Sequence, residues 1–291
     1  NKISKYDRIL KLLDVCVDKI IPINLINYNT DKGSKWKRFK DNYRWLNLCF
    51  NKLLILTLSN YDKVLFMDSD MLCINKFIDI FNLKCPAGVL TDNDHKGYIT
   101  GHKITKEELN KSVINSYGIS GAFILVKPNY TKYKEAINKL EDSLNNSKYG
   151  IYQETIEGID YDLKKKINAG PDEIIFSFLY KGNKNTKYTN WLSISRLYNC
   201  IPWHKDLYES KKILPYYNEE KNDFNYLDKN GVKILHYAST KPFDILSGKI
   251  KDKLYDDIIL WFNYLKEMIK DIFKININIT YNDIIDYFLI K

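Results

Sequence analysis

The stretch Tyr61–Phe81 reads YDKVLFMDSDMLCINKFIDIF. Its first part, Lys63 to Met67, is a short run rich in strand-formers, as expected of a strand buried in a parallel sheet. The run stops at Asp68-Ser69-Asp70. Two carboxylates at i and i+2 on a strand would face the same side and repel each other. A divalent cation between them removes that repulsion, and open α/β sheets place their ligands at this carboxyl edge. Asp-Ser-Asp is also good turn chemistry, so the same residues allow a plain turn.

Outward from this stretch the pattern alternates strands and helices. Ile3 to Leu13 reads as a helix and Lys19 to Ile23 as a strand. Lys37 to Leu58 is helical, with aromatic and leucine positions on one face. Ala87 to Leu90 is a second short strand, and Thr91 to His102 is a polar loop. Thr105 followed by Glu108 is a capping-box signature for a helix start. Gly121 to Lys127 is a buried strand, ended by Pro128, and Thr131 to Leu144 is an amphipathic helix. Gly170-Pro171 breaks the chain before a helix over Asp172 to Tyr180, with proline in its first turn. Trp191 to Trp203 mixes strand and loop, and Ser210 to Asn230 is charged and loop-like. Val232 to His236 is a strand; Lys253 to Lys274 and Tyr281 to Leu289 are helices. The alternation predicts an α/β fold with a mostly parallel sheet. Residues 1–250 are expected to form the main domain, with 251–291 as C-terminal helices packed on it.

Composition narrows the classes. The 291 residues carry a net charge of +9, yet the lysines are spread along the chain and mixed with acids. That is unlike the basic stripe of a nucleic-acid binder. Abundant Lys, Asn, Ile and Tyr with few Gly, Pro and Ala point to compositional bias as the source of the charge. Five cysteines, Cys16, Cys49, Cys73, Cys85 and Cys200, lack any C-x-x-C spacing. A disulfide framework or zinc site is therefore disfavoured and a reducing, cytoplasmic compartment fits. No stretch is apolar enough to span a membrane.

The stretch and its flanks resemble the family 8 glycosyltransferases, the glycogenin-like group. In these a lysine-bearing helix, here with Lys52, leads into a strand ending F-M-D-[AS]-D. An N-x-x-D-[IL]-F segment follows, here Asn75 to Phe81 with one residue more than the commonest spacing. A late motif, a histidine followed by G-x-x-K-P-W or the shorter G-x-K-P-W, is matched by His236, Ser239, Lys241, Pro242 and Phe243, with Ser239 for glycine and Phe243 for tryptophan. Ser120-Gly121 matches N-[AS]-G beside the donor sugar, with Ser120 for asparagine. Asp172-Glu173 matches a G-D-Q segment, with Glu173 for glutamine, and Tyr198-Asn199 resembles a late Y-N pair.

The resemblance implies a GT-A fold, a Rossmann-like mixed sheet flanked by helices. The first strand and helix of that fold, which hold uracil and ribose, have no match before Ile3. It implies Mn²⁺, with Mg²⁺ as the substitute, held by Asp68, Asp70 and His236. It implies a UDP-sugar donor contacted by Lys52, Asp68, Ser69, Asp70, Ser120, Gly121, Glu173, Ser239 and Lys241. Asp172 and Lys241 would be the catalytic pair, the first near the anomeric carbon and the second on the diphosphate. The implied reaction is retaining transfer of a hexose, glucose or galactose, to a hydroxyl of a glycan, of a protein or of the chain itself. A homodimer is compatible, and nucleic acid is not among the expected partners. A metal-dependent nucleotidyl or phosphoryl transferase and a degenerate UDP-sugar binder are the alternatives.

Overall fold

The computed structural model describes residues 14–25, 46–91, 99–146, 171–201, 216–218, 223–225, 231–238, 241–242 and 256–273. The chain divides into two compact units. One comprises Leu25–Ile213 with Asp228–His236; the other comprises Asn1–Asn24, Leu214–Leu227 and Tyr237–Lys291.

The larger unit is built on a five-stranded sheet. Its strands are β1 (Val64–Met67), β3 (Ala87–Leu90), β4 (Lys103–Thr105), β5 (Ile119–Val126) and β6 (Tyr188–Ser193), in the order β1-β5-β3-β6-β4. Every residue of β5 is buried. Its side chains alternate between two core layers, as strand periodicity requires. Ile124 and Val126 join Phe50, Leu53, Leu56, Phe176 and Trp191. Phe123 and Leu125 face Ile80, Ala87, Val89, Tyr198 and Ile234.

The α/β architecture is as expected, but the sheet is not mostly parallel. β1–β5, β3–β5 and β4–β6 are antiparallel, and only β3–β6 is parallel among the described residues. The apolar runs fit either pattern because β5 is covered on both faces, so burial and not strand direction produced them. β2 (Met71–Cys73) and β9 (Ile234–His236) form a separate antiparallel ladder.

Helices begin where their signals stand. Thr105 caps α2 (Lys106–Asn115) through a full capping box, its hydroxyl accepting from the Glu108 amide while Glu108 accepts from the Thr105 amide. Helix α3 (Tyr130–Asn146) follows β5, and α4 (Pro171–Leu179) has proline in its first turn. Gly118 (φ +70°) fixes how α4 meets β5: a Cβ there would lie 2.8 Å from both Ser177 Oγ and Val113 Cγ2. Ser177 Oγ in turn accepts from the Ile119 amide at 3.2 Å.

Two element expectations need correcting. The helix over Lys37–Leu58 is, in its described part, a short α1 (Leu46–Cys49) continuing as a 3-10 helix, Phe50–Thr57. Its apolar residues Phe50, Leu53 and Leu56, three apart, all point into the core, which suits the three-residue turn of that helix. Lys19–Ile23 is not a strand: it has no ladder partner among the described residues, and Ile20, Ile21 and Ile23 are exposed. A β-branched run supplies the propensity, but a strand needs a neighbour.

In the smaller unit, β7 (Tyr216–Asn218) and β8 (Asp223–Asn225) form a hairpin where a loop was expected, and α5 (Asp256–Phe273) is the expected C-terminal helix. The helices expected at Ile3–Leu13 and Tyr281–Leu289 lie outside the described residues. No described helix is long and apolar enough to cross a membrane.

Candidate metal and nucleotide-sugar site

Asp68-Ser69-Asp70 forms the tight connection between β1 and β2, closed by the Met71 amide donating to the Asp68 carbonyl at 3.3 Å. The turn reading of these residues is thus correct locally, and it is also what makes them converge. β1 runs antiparallel to β5, and the Asp68 amide donates to the Ala122 carbonyl at 3.0 Å. Ser120 and Gly121 therefore lie beside Asp68. Past the turn, β2 pairs with β9 in the register Met71↔His236, which brings His236 to Asp70. His236 arrives on this ladder and not, as expected, on a second strand of one parallel sheet.

Asp68, Asp70 and His236 each offer a ligand atom, all within 4.8 Å of one another. His236 Nε2 stands 3.4 Å from Asp70 Oδ1. Two carboxylates and an imidazole suit a first-row divalent cation, and the oxygen-rich set is compatible with Mn²⁺. His236 Nδ1 is engaged by Asn199 Oδ1 at 2.7 Å, so Nε2 is the nitrogen turned to the carboxylates. The donor set fits a metal.

Beside these ligands lies a salt-bridge chain. Lys52 Nζ sits 3.1 Å from Asp68 Oδ1 and 2.9 Å from Asp172 Oδ2. It also lies 5.4 Å from the Phe66 ring centroid. Burial alone would lower the Lys52 ammonium, but Asp172 and Asp68 outweigh it and hold the pKa above the usual lysine range. Burial pushes Asp68 up; Lys52 opposes that shift, and the charges of Asp172 and Asp70 add to it. Asp172 sits in the first turn of α4, where the helix dipole favours an acid. Its neighbour Glu173 is driven well above the ordinary glutamate range by burial and by the charge of Asp172. Gly121 is required here, because a Cβ would collide with Asp172 Oδ2.

The structure thus brings together Lys52, Asp68, Asp70, Ser120, Gly121, Asp172, Glu173 and His236, all in the larger unit. Ser69 is exposed at the tip of the turn. Lys241 belongs to the smaller unit, where its Nζ donates to the Tyr237 carbonyl at 2.6 Å. Ser239 and Phe243 lie outside the described residues.

The flanking motif residues prove to be braces. The Asn75 amide group donates to the Val232 carbonyl at 2.9 Å, tying the segment after β2 to the approach to β9. Asp79 accepts from the Tyr198 hydroxyl at 3.1 Å. Sequence reasoning assigned no role to Asn199 and no ion pair to Lys52. For Asn199 the one signal was its place in the Tyr198-Asn199 pair; for Lys52 the partner, Asp172, is too distant in sequence to suggest itself.

No family model matches the chain, and no curated protein matches it. Among solved structures it is similar to the glycosyltransferase GlyE of Streptococcus pneumoniae TIGR4, at 16% identity and a TM-score of 0.40, over 74% of this chain and 42% of that one. It is also similar to the galactosyltransferase LgtC in complex with donor and acceptor sugar analogs, at 14% identity and a TM-score of 0.40, over 81% of this chain and 77% of that one. The chain spans less than half the length of GlyE.

Proposed function

We propose that the chain is a metal-dependent, retaining hexosyltransferase of GT-A type, using a UDP-sugar donor. The observation that carries this reading is the meeting of Asp68, Asp70 and His236 beside a Lys52–Asp172 pair. A Mn²⁺ held by the first three would supply positive charge to the donor's diphosphate as the glycosidic bond breaks. That charge counts most in the transition state, where the leaving oxygen is most negative.

The chain's own groups do the rest. Lys52 pairs with Asp172 and fixes its direction, and the bare backbone of Gly121 leaves room for the carboxylate. Asp172 would then face the anomeric carbon as nucleophile or as stabiliser of an oxocarbenium-like state. Glu173, its carboxyl raised well above the ordinary range by burial and by the charge of Asp172, adds a hydrogen-bonding group beside it. Ser120 would offer a hydroxyl to the sugar.

The test is a panel of UDP-sugars incubated with purified protein and Mn²⁺. UDP release is followed, and mass spectrometry reads transfer to water, to added acceptors or to the chain itself. Metal-dependent UDP release from a UDP-hexose supports the reading. Tight donor binding with no turnover supports a degenerate binder, and release of UMP or diphosphate supports nucleotidyl transfer.

A further inference from the structure

Asn199 has no role in the chemistry above, yet its side chain is buried and both ends of its amide are engaged. It ends the 3-10 turn Arg196–Tyr198. The next residue is clamped to β9 twice: the Cys200 amide donates to the Ile234 carbonyl at 3.0 Å, and the His236 amide donates to the Cys200 carbonyl at 2.8 Å. The Asn199 side chain is thereby fixed relative to the imidazole. Its Oδ1 lies 2.7 Å from His236 Nδ1, and its Nδ2 donates to Ser120 Oγ at 2.9 Å. Ser120 Oγ also accepts from the Ala122 amide at 3.3 Å, so it already serves as an acceptor on the strand that flanks Asp68.

We infer that Asn199 is a positioning residue that sets the tautomer of His236. An amide oxygen only accepts, so a proton must sit on Nδ1. The Nε2 lone pair then faces Asp70, free to bind a metal. The opposite orientation of the amide would present Nδ2 to the ring. It would favour a proton on Nε2, pointing at the Asp70 carboxylate, and the lone pair needed for coordination would be lost. In the structure Nδ2 donates to Ser120 Oγ, and Oδ1 is the end that faces the ring. One buried amide thus links the strand beside the sugar site to the readiness of the metal ligand. This inference rests on the metal site proposed above.

The test uses metal-free full-length protein at a pH above the histidine titration range, with ¹⁵N-labelled histidine. The chain has four histidines, and His236→Gln assigns the signal. Two-bond proton–nitrogen correlations should show the wild-type ring protonated on Nδ1. Asn199→Asp, which keeps an acceptor, should show the same. Asn199→Leu should move the proton to Nε2. Calorimetry with Mn²⁺ alone should show affinity lowered about 10- to 100-fold in Asn199→Leu, the range for losing a group that orients a ligating histidine. Asn199→Asp should retain the affinity. A Leu variant with unchanged tautomer and affinity overturns the inference, as does a wild-type ring protonated on Nε2, a result that needs no variant to fold. Wild-type protein that binds no Mn²⁺ would strike the metal centre itself, and the tautomer comparison would still decide the role of Asn199.

Discussion

The acidic cluster has two ends, and they are built differently. At one end Asp68 and Asp172 share a single ammonium from Lys52, within salt-bridge distance of both. At the other, Asp70 faces the imidazole of His236, whose far nitrogen is held by a neutral amide. The first end is built on a shared ammonium; the second sets a carboxylate against an imidazole. The ligand atoms of Asp68, Asp70 and His236 converge where the two ends meet, as a divalent cation requires.

Replacing either acid of the turn should damage the metal site most severely. Asp68→Asn or Asp70→Asn is expected to abolish Mn²⁺ binding and to lower turnover by at least about 10²-fold, the scale for losing one preorganised charge stabiliser. The melting temperature should hardly move, because neither acid is part of the apolar core. Calorimetry and UDP release measure the first effects and thermal melting the last. An active Asp70→Asn protein would remove Asp70 from the metal site.

The Lys52 end should respond in stability as well. Lys52→Met leaves Asp68 and the buried Asp172 without their shared partner. Breaking a buried pair in this way costs about 3–5 kcal/mol. At roughly 2–4 °C per kcal/mol for a chain of this size, the fall should be plain in a thermal melt, together with lost turnover. A lysine that served only the substrate would give the second effect without the first.

Gly121→Ala sharpens the contrast by moving one carboxylate only. The added methyl group displaces Asp172 from Lys52 while Asp70 and His236 stay in place. Turnover should fall with Mn²⁺ affinity retained, and overpacking should cost about 1–3 kcal/mol. Equal loss of metal binding would mean that the two ends are not separable.

The smallest effect is expected at Glu173. Its carboxyl is held above the ordinary range, so the folded state binds this proton more tightly than the unfolded chain does. The stability it contributes is complete below the ordinary glutamate pKa and is lost as pH rises toward the raised value. Glu173→Gln cannot ionise and should not lose it. Melting temperatures of the two proteins should diverge with rising pH above that range, the variant becoming the more stable; parallel curves would show that Glu173 is charged.

Much of this site could be read locally. The acid turn, the histidine at the end of a strand and the proline-led start of α4 each have a signature within a few residues. The Thr105–Glu108 box is another, and its geometry was as expected. Strand direction had no such signature, since β5 is buried on both faces and its composition is the same either way. Nor did the pairing of Met71 with His236, which depends on which edge the β2 segment meets. The exposed Lys19–Ile23 segment shows the converse, a strand composition without a partner. Lys52 was legible as a site residue from its register with Asp68, but its tie to Asp172 needs α4 laid against β5, which no local pattern announces.

The register of β2 against β9 has a consequence for biosynthesis. Residues of the β1–β2 turn leave the ribosome well before the strand carrying His236, which follows 166 residues after Asp70 (236 − 70). Joining them closes a long loop, whose entropic cost grows only slowly with length but which still makes this contact a late one. A nascent chain would already have its lysine and both turn acids while lacking the imidazole. Premature termination before His236 would leave a product with the early braces but without the third arm of the cluster.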